Sequence, residues 1–456
     1  MTEALTPPGP RGDFLLGSVL DFKEHPLHFI RYVAQAYGDV SRFKMGPTHW
    51  YLLTHPEHIW DVMTKRGDVF LKPQIARRLW EKFLGDGLLT IEGDTWKRMN
   101  KLVKPAFRRT RIRSYGEVMT DFTHRMLDRW QQGARLDLDA EMVSLTLEIV
   151  AKTLFNADVR EGAETFGKAM EVLQEAMVEH ILAPVPVPRW WPTEKNRRKL
   201  QAIKDIEEIV WRVIEERRAE GVDQGDLLSM MLLAQDESGQ GLTDKEVRDQ
   251  SMTIFFAGHE TTAHAMTWAW YLLARNPHVV ERLQADLEAV TGGERLTIPH
   301  LNQLPYLEQT VKESLRFLPS VWLFIKEPIV DAVVGGYKIP KGAPVLISPY
   351  VTHHDPRWYP SPETFDPDRF SPEREAALPK GAYIPFSGGA RICLGKHFAM
   401  MEAMLVLGSM LQRLEPRVPE EYQVCWKSEL SLHPDGPLPI DVVFRDRNPG
   451  QEVAAG

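Results

Sequence analysis

Cysteine is nearly missing from this chain, with two in 456 residues. Two thiols cannot build a disulfide framework or a four-thiolate zinc site, so a reducing compartment is the default expectation. An excess of positive charge is missing as well. The balance of 55 Lys and Arg against 63 Asp and Glu leaves a formal net charge of −8, which argues against non-specific nucleic-acid binding by the whole chain. No sequence period recurs, which removes solenoid and collagen architectures. Residues Met1 to Asp21 lack the basic flank and continuous apolar segment of a secretory signal. The one stretch of membrane-spanning length, Met252 to Ala274, carries His259, Glu260 and His264 near its middle, where a charge in a bilayer costs roughly 3 kcal/mol. A cytoplasmic protein without a transmembrane anchor is expected, with peripheral membrane contact left open.

What is present is a composition of 43% hydrophobic and 26% charged residues, too apolar for disorder and sufficient for a large core. Pro7, Pro8, Gly9 and Pro10 make an extended lead-in. Val40 to Met45 and Trp50 to Thr54 have strand character around a Gly46-Pro47 turn, and Pro56 starts a helix. Helical spacing then dominates to about Pro319, including Glu117 to Gln131, Met142 to Phe155 and Ala202 to Arg218. Alternating prolines from Pro184 to Pro192 rule out helix there and leave two readings, a stiff linker or a lid over a substrate path or membrane. Thr243-Asp-Lys-Glu246 is a capping box opening a helix with no breaker before Asn276-Pro277, roughly 50 Å long at the helical rise. Strands succeed it at Ala332 to Val334, Tyr337 to Ile339 and Val345 to Ser348, then a helix from His397 to Leu414. No linker divides the chain. The expected fold is mainly α: a single large unit over 1–456, with β-rich portions at about 38–56 and 320–350 and a polar tail at 446–456.

Cys393 sits in Phe386-Ser-Gly-Gly389-Ala-Arg391-Ile-Cys393-Leu-Gly395, directly before the last strong helix. A helix N-terminus stabilises a thiolate through unpaired N–H groups, and nearby glycines let backbone approach a flat ligand. A lone cysteine in that position is more often a small core residue, and the full pattern F-x-x-G-x-R-x-C-x-G is what changes the reading. It resembles the haem-ligating loop of the cytochrome P450 family of haem-thiolate monooxygenases, whose fold is a helical prism with a smaller β part. Three further matches keep the family's order and extend the resemblance from about Trp96 to the chain's end. Glu313-Ser-Leu-Arg316 matches E-x-x-R, and Phe365-Asp-Pro367-Asp-Arg369-Phe370 matches F-x-P-x-R-F. An i,i+3 Glu–Arg pair alone is commonplace. The resemblance makes Glu313, Arg316 and Arg369 a buried structural triad. Ala257-Gly258-His259-Glu260-Thr261-Thr262 matches A-G-x-[DE]-T-T, the stretch above the haem iron.

The resemblance also implies individual roles. Cys393 is the axial iron ligand of haem b. Phe386, Gly389, Gly395 and Arg391 belong to its loop, Gly258 makes room for porphyrin and dioxygen, Thr261 holds water at the oxygen site and Glu260 relays protons inward. Trp96 can donate its indole N–H to a propionate. The family's W-x-x-x-R is imperfect here, because its last position is Asn100, which supplies no charge; Lys101 or Lys326 would compensate. Phe255, Phe256, Ala257, Val321, Trp322, Leu323 and Phe324, with the Ile75 to Leu89 segment, would line an apolar substrate pocket, with ordinary core packing as the alternative for Trp322 and its neighbours. Fatty acids, terpenoids and carotenoids are the substrate classes implied by analogy.

Lys97, Arg98, Lys101, Lys104, Arg108, Arg109, Arg111 and Arg113 form a run uninterrupted by acidic residues. Few aromatics interleave it, which disfavours nucleic acid. If Trp96 reaches the haem, the run lies on the thiolate side, where it would steer a separate acidic ferredoxin or flavodoxin with its reductase. The expected activity is monooxygenation with dioxygen and two supplied electrons. A peroxide-driven peroxygenase is the close rival and a non-catalytic haem sensor the distant one, both disfavoured by Glu260 and Thr261; a cysteine hydrolase is more remote still.

Overall fold

The computed structural model describes residues 5–156, 169, 172, 173 and 193–445. The proline-rich 184–192 segment and the tail from 446 lie outside these. Seven helices frame the interior: α1 (Gln74–Leu84), α2 (Gly93–Val103), α3 (Leu138–Phe155), α4 (Asp244–Gly258), α5 (Glu260–Ala274), α6 (Pro305–Phe317) and α7 (Lys396–Arg413). The expected helices at 117–131, 142–155, 202–218 and 397–414 are found at Gly116–Arg129, Leu138–Phe155, Glu194–Glu220 and Lys396–Arg413. One apolar core runs from Phe22 to Val442, and α5 lies inside it, with Ala263, Met266, Trp268 and Trp270 all at 1% exposure or less.

The strands are fewer in residues but reach further in sequence. Val40–Met45 and Thr48–Leu53 pair as an antiparallel hairpin in the register Val40 to Leu53 and Met45 to Thr48. Val345–Ile347 joins the hairpin in parallel, Phe324–Pro328 pairs antiparallel to it, and Phe70–Leu71 closes the far edge. Strands from both expected β-rich portions, with Phe70–Leu71 added, therefore share one five-stranded sheet, while Ala332–Val334 and Tyr337–Ile339 pair as a separate hairpin. Its central strand, Val345–Ile347, is an unbroken buried apolar run, as a strand covered on both faces must be.

The expected 50 Å helix is interrupted. The capping box is present, with Thr243 N–H donating to Glu246 Oε2 at 2.8 Å and Glu246 N–H to Thr243 Oγ1 at 3.2 Å. Regular helix nevertheless breaks at His259 and resumes at Glu260. Three side chains bond back onto carbonyls one turn earlier at this point: His259 Nδ1 to Phe255 O at 2.8 Å, Thr261 Oγ1 to Ala257 O at 2.8 Å and Thr262 Oγ1 to Gly258 O at 3.1 Å. Such bonds compete with the backbone ladder and bend helices. The sequence holds no proline or capping pair there, so propensity alone does not reveal the break.

Candidate active site

The loop before α7 is shaped by its own backbone. Ser387 and Gly389 take φ of 62° and 67°, and a Cβ on Gly389 would come within 2.3 Å of Met63 O, so glycine is required there on two counts. Cys393 N–H closes the loop onto Phe386 O at 3.0 Å. Lys396 Nζ lies 5.8 Å from the centre of the Phe386 ring. Gly395 and Gly258 are under no such constraint from protein: added Cβ atoms would meet Cys393 Sγ at 3.8 Å and Val150 at 3.5 Å, both ordinary contacts.

Cys393 is surrounded by protein yet keeps accessible surface at depth. Burial pushes its thiol above the usual range, and the Gly395 and Lys396 backbone N–H groups oppose that push without overcoming it. The expected lowering by the helix terminus is thus outweighed in the protein alone. On the central helix Ala257 is also accessible, while Phe255, Phe256 and His259 around it are buried. Thr261, one turn on, shares that partly open face. Its hydroxyl hydrogen is committed to Ala257 O, which leaves the oxygen's lone pairs free to accept, and its carbonyl takes a 2.8 Å bond from Ser320 Oγ.

Behind this region Glu313, Arg316 and Arg369 are brought together. Glu313 and Arg316 are fully buried and bidentate, with Nε–Oε2 at 2.7 Å and Nη2–Oε1 at 2.9 Å. Arg369 Nε lies 3.4 Å from Glu313 Oε1, and its Nη2 donates to Ser361 O at 2.7 Å. Arg316 Nη1 donates to His353 O at 3.0 Å, and Asp366 N–H to Glu313 Oε1 at 2.9 Å. The Glu313–Arg316 pair therefore ties α6 to two separate segments, Glu313 to 366–369 and Arg316 to His353.

Arg391 and Trp96 are brought together, the guanidinium 3.8 Å from the ring centre in a cation–π contact. Arg391 also pairs with Glu92, and burial, reinforced by Arg77, lowers its pKa to about 10. Lys72 is half-buried alongside. Desolvation depresses its pKa first, and the nearby charges of Arg391, Lys326 and Arg77 add to it, while its ammonium donates to Leu88 O and Leu89 O at 3.2 and 2.8 Å. Lys326, 8% exposed, is depressed by burial too. Arg77 Nε and Trp80 Nε1 are buried without a hydrogen-bond partner. Four cations thus converge where Glu92 is the one carboxylate paired with them among the described residues. Two carboxylates would offset most of that excess, which is the chemistry of porphyrin propionates, and an accessible thiol at depth suits iron. The residues fit a haem: Cys393 would ligate it, and Arg391, Lys72 and Lys326 would meet its acid groups.

The two candidates to compensate for Asn100 part company. Lys101 is exposed and turned to Glu237, whereas Lys326 lies in the cationic cluster. Two pocket residues are corrected. Phe255 stacks on Phe155 with ring centres 4.1 Å apart, and Trp322 is 4% exposed with its indole N–H on Glu429 O at 2.8 Å, so both are core. Val321, Leu323 and Phe324 are half-buried, and Phe256 faces Trp80 at 6.4 Å. The sequence offers 75–89 as cavity lining as a whole, which contains Trp80 and Arg77 without singling them out, and Lys72, just before α1, is not legible as a site residue.

The basic run is only partly free. Arg98 is bound by Asp236 and Glu246, Lys97 by Asp94 and Lys101 by Glu237. Lys104, Arg108 and Arg113 are exposed and pair with no carboxylate among the described residues. Arg109 Nε lies 3.3 Å from His397 Nε2, four residues after Cys393, so this end of the run sits beside the start of α7. Among the described residues no helix is long and apolar enough to cross a membrane.

Comparison with known proteins bears on the whole chain. The family description "Cytochrome P450" matches residues 7–440. Cyclooctatin synthase of Streptomyces melanosporofaciens is 34% identical over 94% of this chain and 94% of its own. Cyclooctat-9-en-7-ol 5-monooxygenase of the same organism is 32% identical over 93% and 92%. A crystal structure of the cytochrome P450DA haem domain superposes with a TM-score of 0.90, at 27% identity and covering 99% of both chains.

Proposed function

The chain belongs to the cytochrome P450 family, and from that premise we propose which residues carry its monooxygenase chemistry, what they oxidise and what supplies the electrons. Haem, when bound, activates dioxygen and oxidises the apolar substrate; it is haem b in this reading. Cys393 would ligate its iron, in a loop held by the bond from Cys393 N–H to Phe386 O and the tight turn at Gly389. Thr261 accepts a hydrogen bond from water at the oxygen site, and Glu260 supplies protons behind it. The chain from 1 to 456 acts as one unit in this account. The observation that carries the reading is the accessible cysteine at depth beside an unbalanced cluster of buried and half-buried cations.

Of the three substrate classes, terpenoids are favoured by the two relatives named for cyclooctatin chemistry. Under isotopically labelled dioxygen, a cyclic terpenoid alcohol should gain one labelled oxygen atom per turnover, read by mass spectrometry. Label arriving only from added hydrogen peroxide would instead support the peroxygenase.

The electron donor is a separate acidic ferredoxin or flavodoxin. Support comes from Lys104, Arg108 and Arg113, exposed near the Arg109–His397 contact. Reversing these three charges to Glu should slow donor association about tenfold at low salt, with the difference from wild type vanishing at high salt. Stopped-flow reduction at two ionic strengths measures it; a salt-independent rate contradicts the assignment. Peripheral membrane contact is supported by Phe14, Leu15 and Leu20, which are 88%, 73% and 60% exposed.

A further inference from the structure

We propose that Ser431, His264 and Asp139 form a proton relay that recharges Glu260 from the protein surface. The inference rests on the reading of Glu260 and Thr261 as the proton-delivering pair and extends it outward. Ser431 Oγ donates to Glu260 Oε1 at 2.9 Å, and His264 Nδ1 stands 3.1 Å from the same Ser431 Oγ. On the ring's other side His264 Nε2 is 3.6 Å from Asp139 Oδ2, whose partner oxygen accepts from Thr267 Oγ1 at 3.0 Å. The contacts are continuous from the central helix outward: the His264 side chain is 5% exposed and that of Asp139 is 21%.

Three elements build this line. Glu260, His264 and Thr267 share one face of α5 through i,i+4 and i,i+3 spacing, Asp139 opens α3, and Ser431 lies in the turn between the paired strands Trp426–Ser428 and Leu432–Pro434. The turn is fixed from three sides, by Trp268 Nε1 on Leu432 O, Trp322 Nε1 on Glu429 O, and Leu432 N–H on Ser320 O, each at 2.8 Å. Such a row of polar groups in a helical core is costly unless each member is satisfied, and here each has a partner.

The charged surroundings suit a proton carrier. His433 stacks over His264 with ring centres 5.2 Å apart, and its Nε2 is 3.7 Å from Glu429 Oε2. Lys427 and Asp435 lie beyond Glu429, and His259 flanks Glu260 on its own helix with its Nδ1 tied to Phe255 O. Burial would raise the Asp139 carboxyl, but His264, Thr267 and His433 together outweigh that and lower it, so the carboxylate facing His264 Nε2 is ionised at neutral pH. The charged ring gives its Nδ1 proton to Ser431 Oγ as Ser431 gives its hydroxyl proton to Glu260 Oε1. Ser431 keeps one hydroxyl proton, now turned toward the ring, and the ring is neutral with Nε2–H toward Asp139; it then swings to bring the bare Nδ1 to the Asp139 side, takes one proton from bulk water there and swings back before the next transfer. No electron moves in this relay.

The test uses holoenzyme with Ser431→Ala, His264→Gln and, at a partly exposed position that protects against a folding failure, Asp139→Asn. Haem content and the reduced carbon monoxide spectrum are recorded first; a wild type lacking them sinks the haem-enzyme reading itself and the relay with it. NADPH oxidation is then driven through a surrogate plant-type ferredoxin and its reductase, without added substrate. The relay predicts about threefold more hydrogen peroxide per NADPH in the variants and a solvent isotope effect about twice that of wild type. Independently of turnover, the His264 imidazole signal in nuclear magnetic resonance of the carbon monoxide complex should move in Glu260→Gln, and should cease to respond to that change once Ser431 is Ala. Unchanged peroxide yield and isotope effect in variants that retain haem, or a His264 signal blind to Glu260, would overturn the proposal.

Discussion

Replacing Glu313 by Gln is expected to abolish haem retention. The substitution keeps size and shape but removes the one carboxylate that meets both Arg316, 0% exposed, and Arg369, 5% exposed. Breaking a buried ion pair from one side costs about 3–5 kcal/mol, because the remaining charge keeps its desolvation penalty without compensation. Two guanidiniums are stranded here. Against a total stability of roughly 5–15 kcal/mol, that is enough to unfold much of the protein or release the loops held by Asp366 N–H and His353 O. Haem per chain and thermal melting measure the effect. Full haem occupancy with an unshifted melting temperature would show the triad to be dispensable.

Thr261→Ala should act in the opposite way, sparing the fold and damaging the chemistry. The hydroxyl lost is partly accessible and makes one bond, to Ala257 O, so its structural cost is small. If its oxygen holds the water that passes protons inward, product formed per reductant should fall roughly tenfold or more, less than the roughly hundredfold at the low edge for a direct proton donor because Thr261 only positions the water. Hydrogen peroxide should rise to match, with haem content and substrate affinity unchanged, and Thr261→Ser should restore coupling. Coupling equal to wild type in the alanine variant would remove Thr261 from proton delivery.

The sequence discloses the parts of the site that depend on short spacing. Cys393 with its loop, the Glu313–Arg316 pair and the capping box at Thr243 are local patterns, and each is found in its expected form. What it hides depends on contacts between distant segments. Phe255 has the character of pocket lining, but Phe155 stacks on it, and Trp322 is drawn into the core by the bond from its N–H to Glu429 O. The cluster of Lys72, Arg77, Lys326 and Arg391 draws on three regions of the chain, and the line from Glu260 to Asp139 runs through a turn serine 171 residues beyond Glu260. No spacing rule reaches that far. The break at His259 is hidden for a different reason: threonine hydroxyls and a histidine ring bond back to carbonyls and compete with the helix without any of the usual breaker residues. The basic run, contiguous in sequence, is divided by partners at Asp236, Glu237 and Glu246 that lie far along the chain.

Every role assigned to the other site residues depends on a thiolate from Cys393 holding a haem iron, and one spectrum tests it. The reduced protein under carbon monoxide should show the strongly red-shifted Soret band of a thiolate-ligated haem in the wild type, and Cys393→Ala should lack it. A wild type without that band, or a Cys393→Ala variant that keeps it, would contradict the assignment.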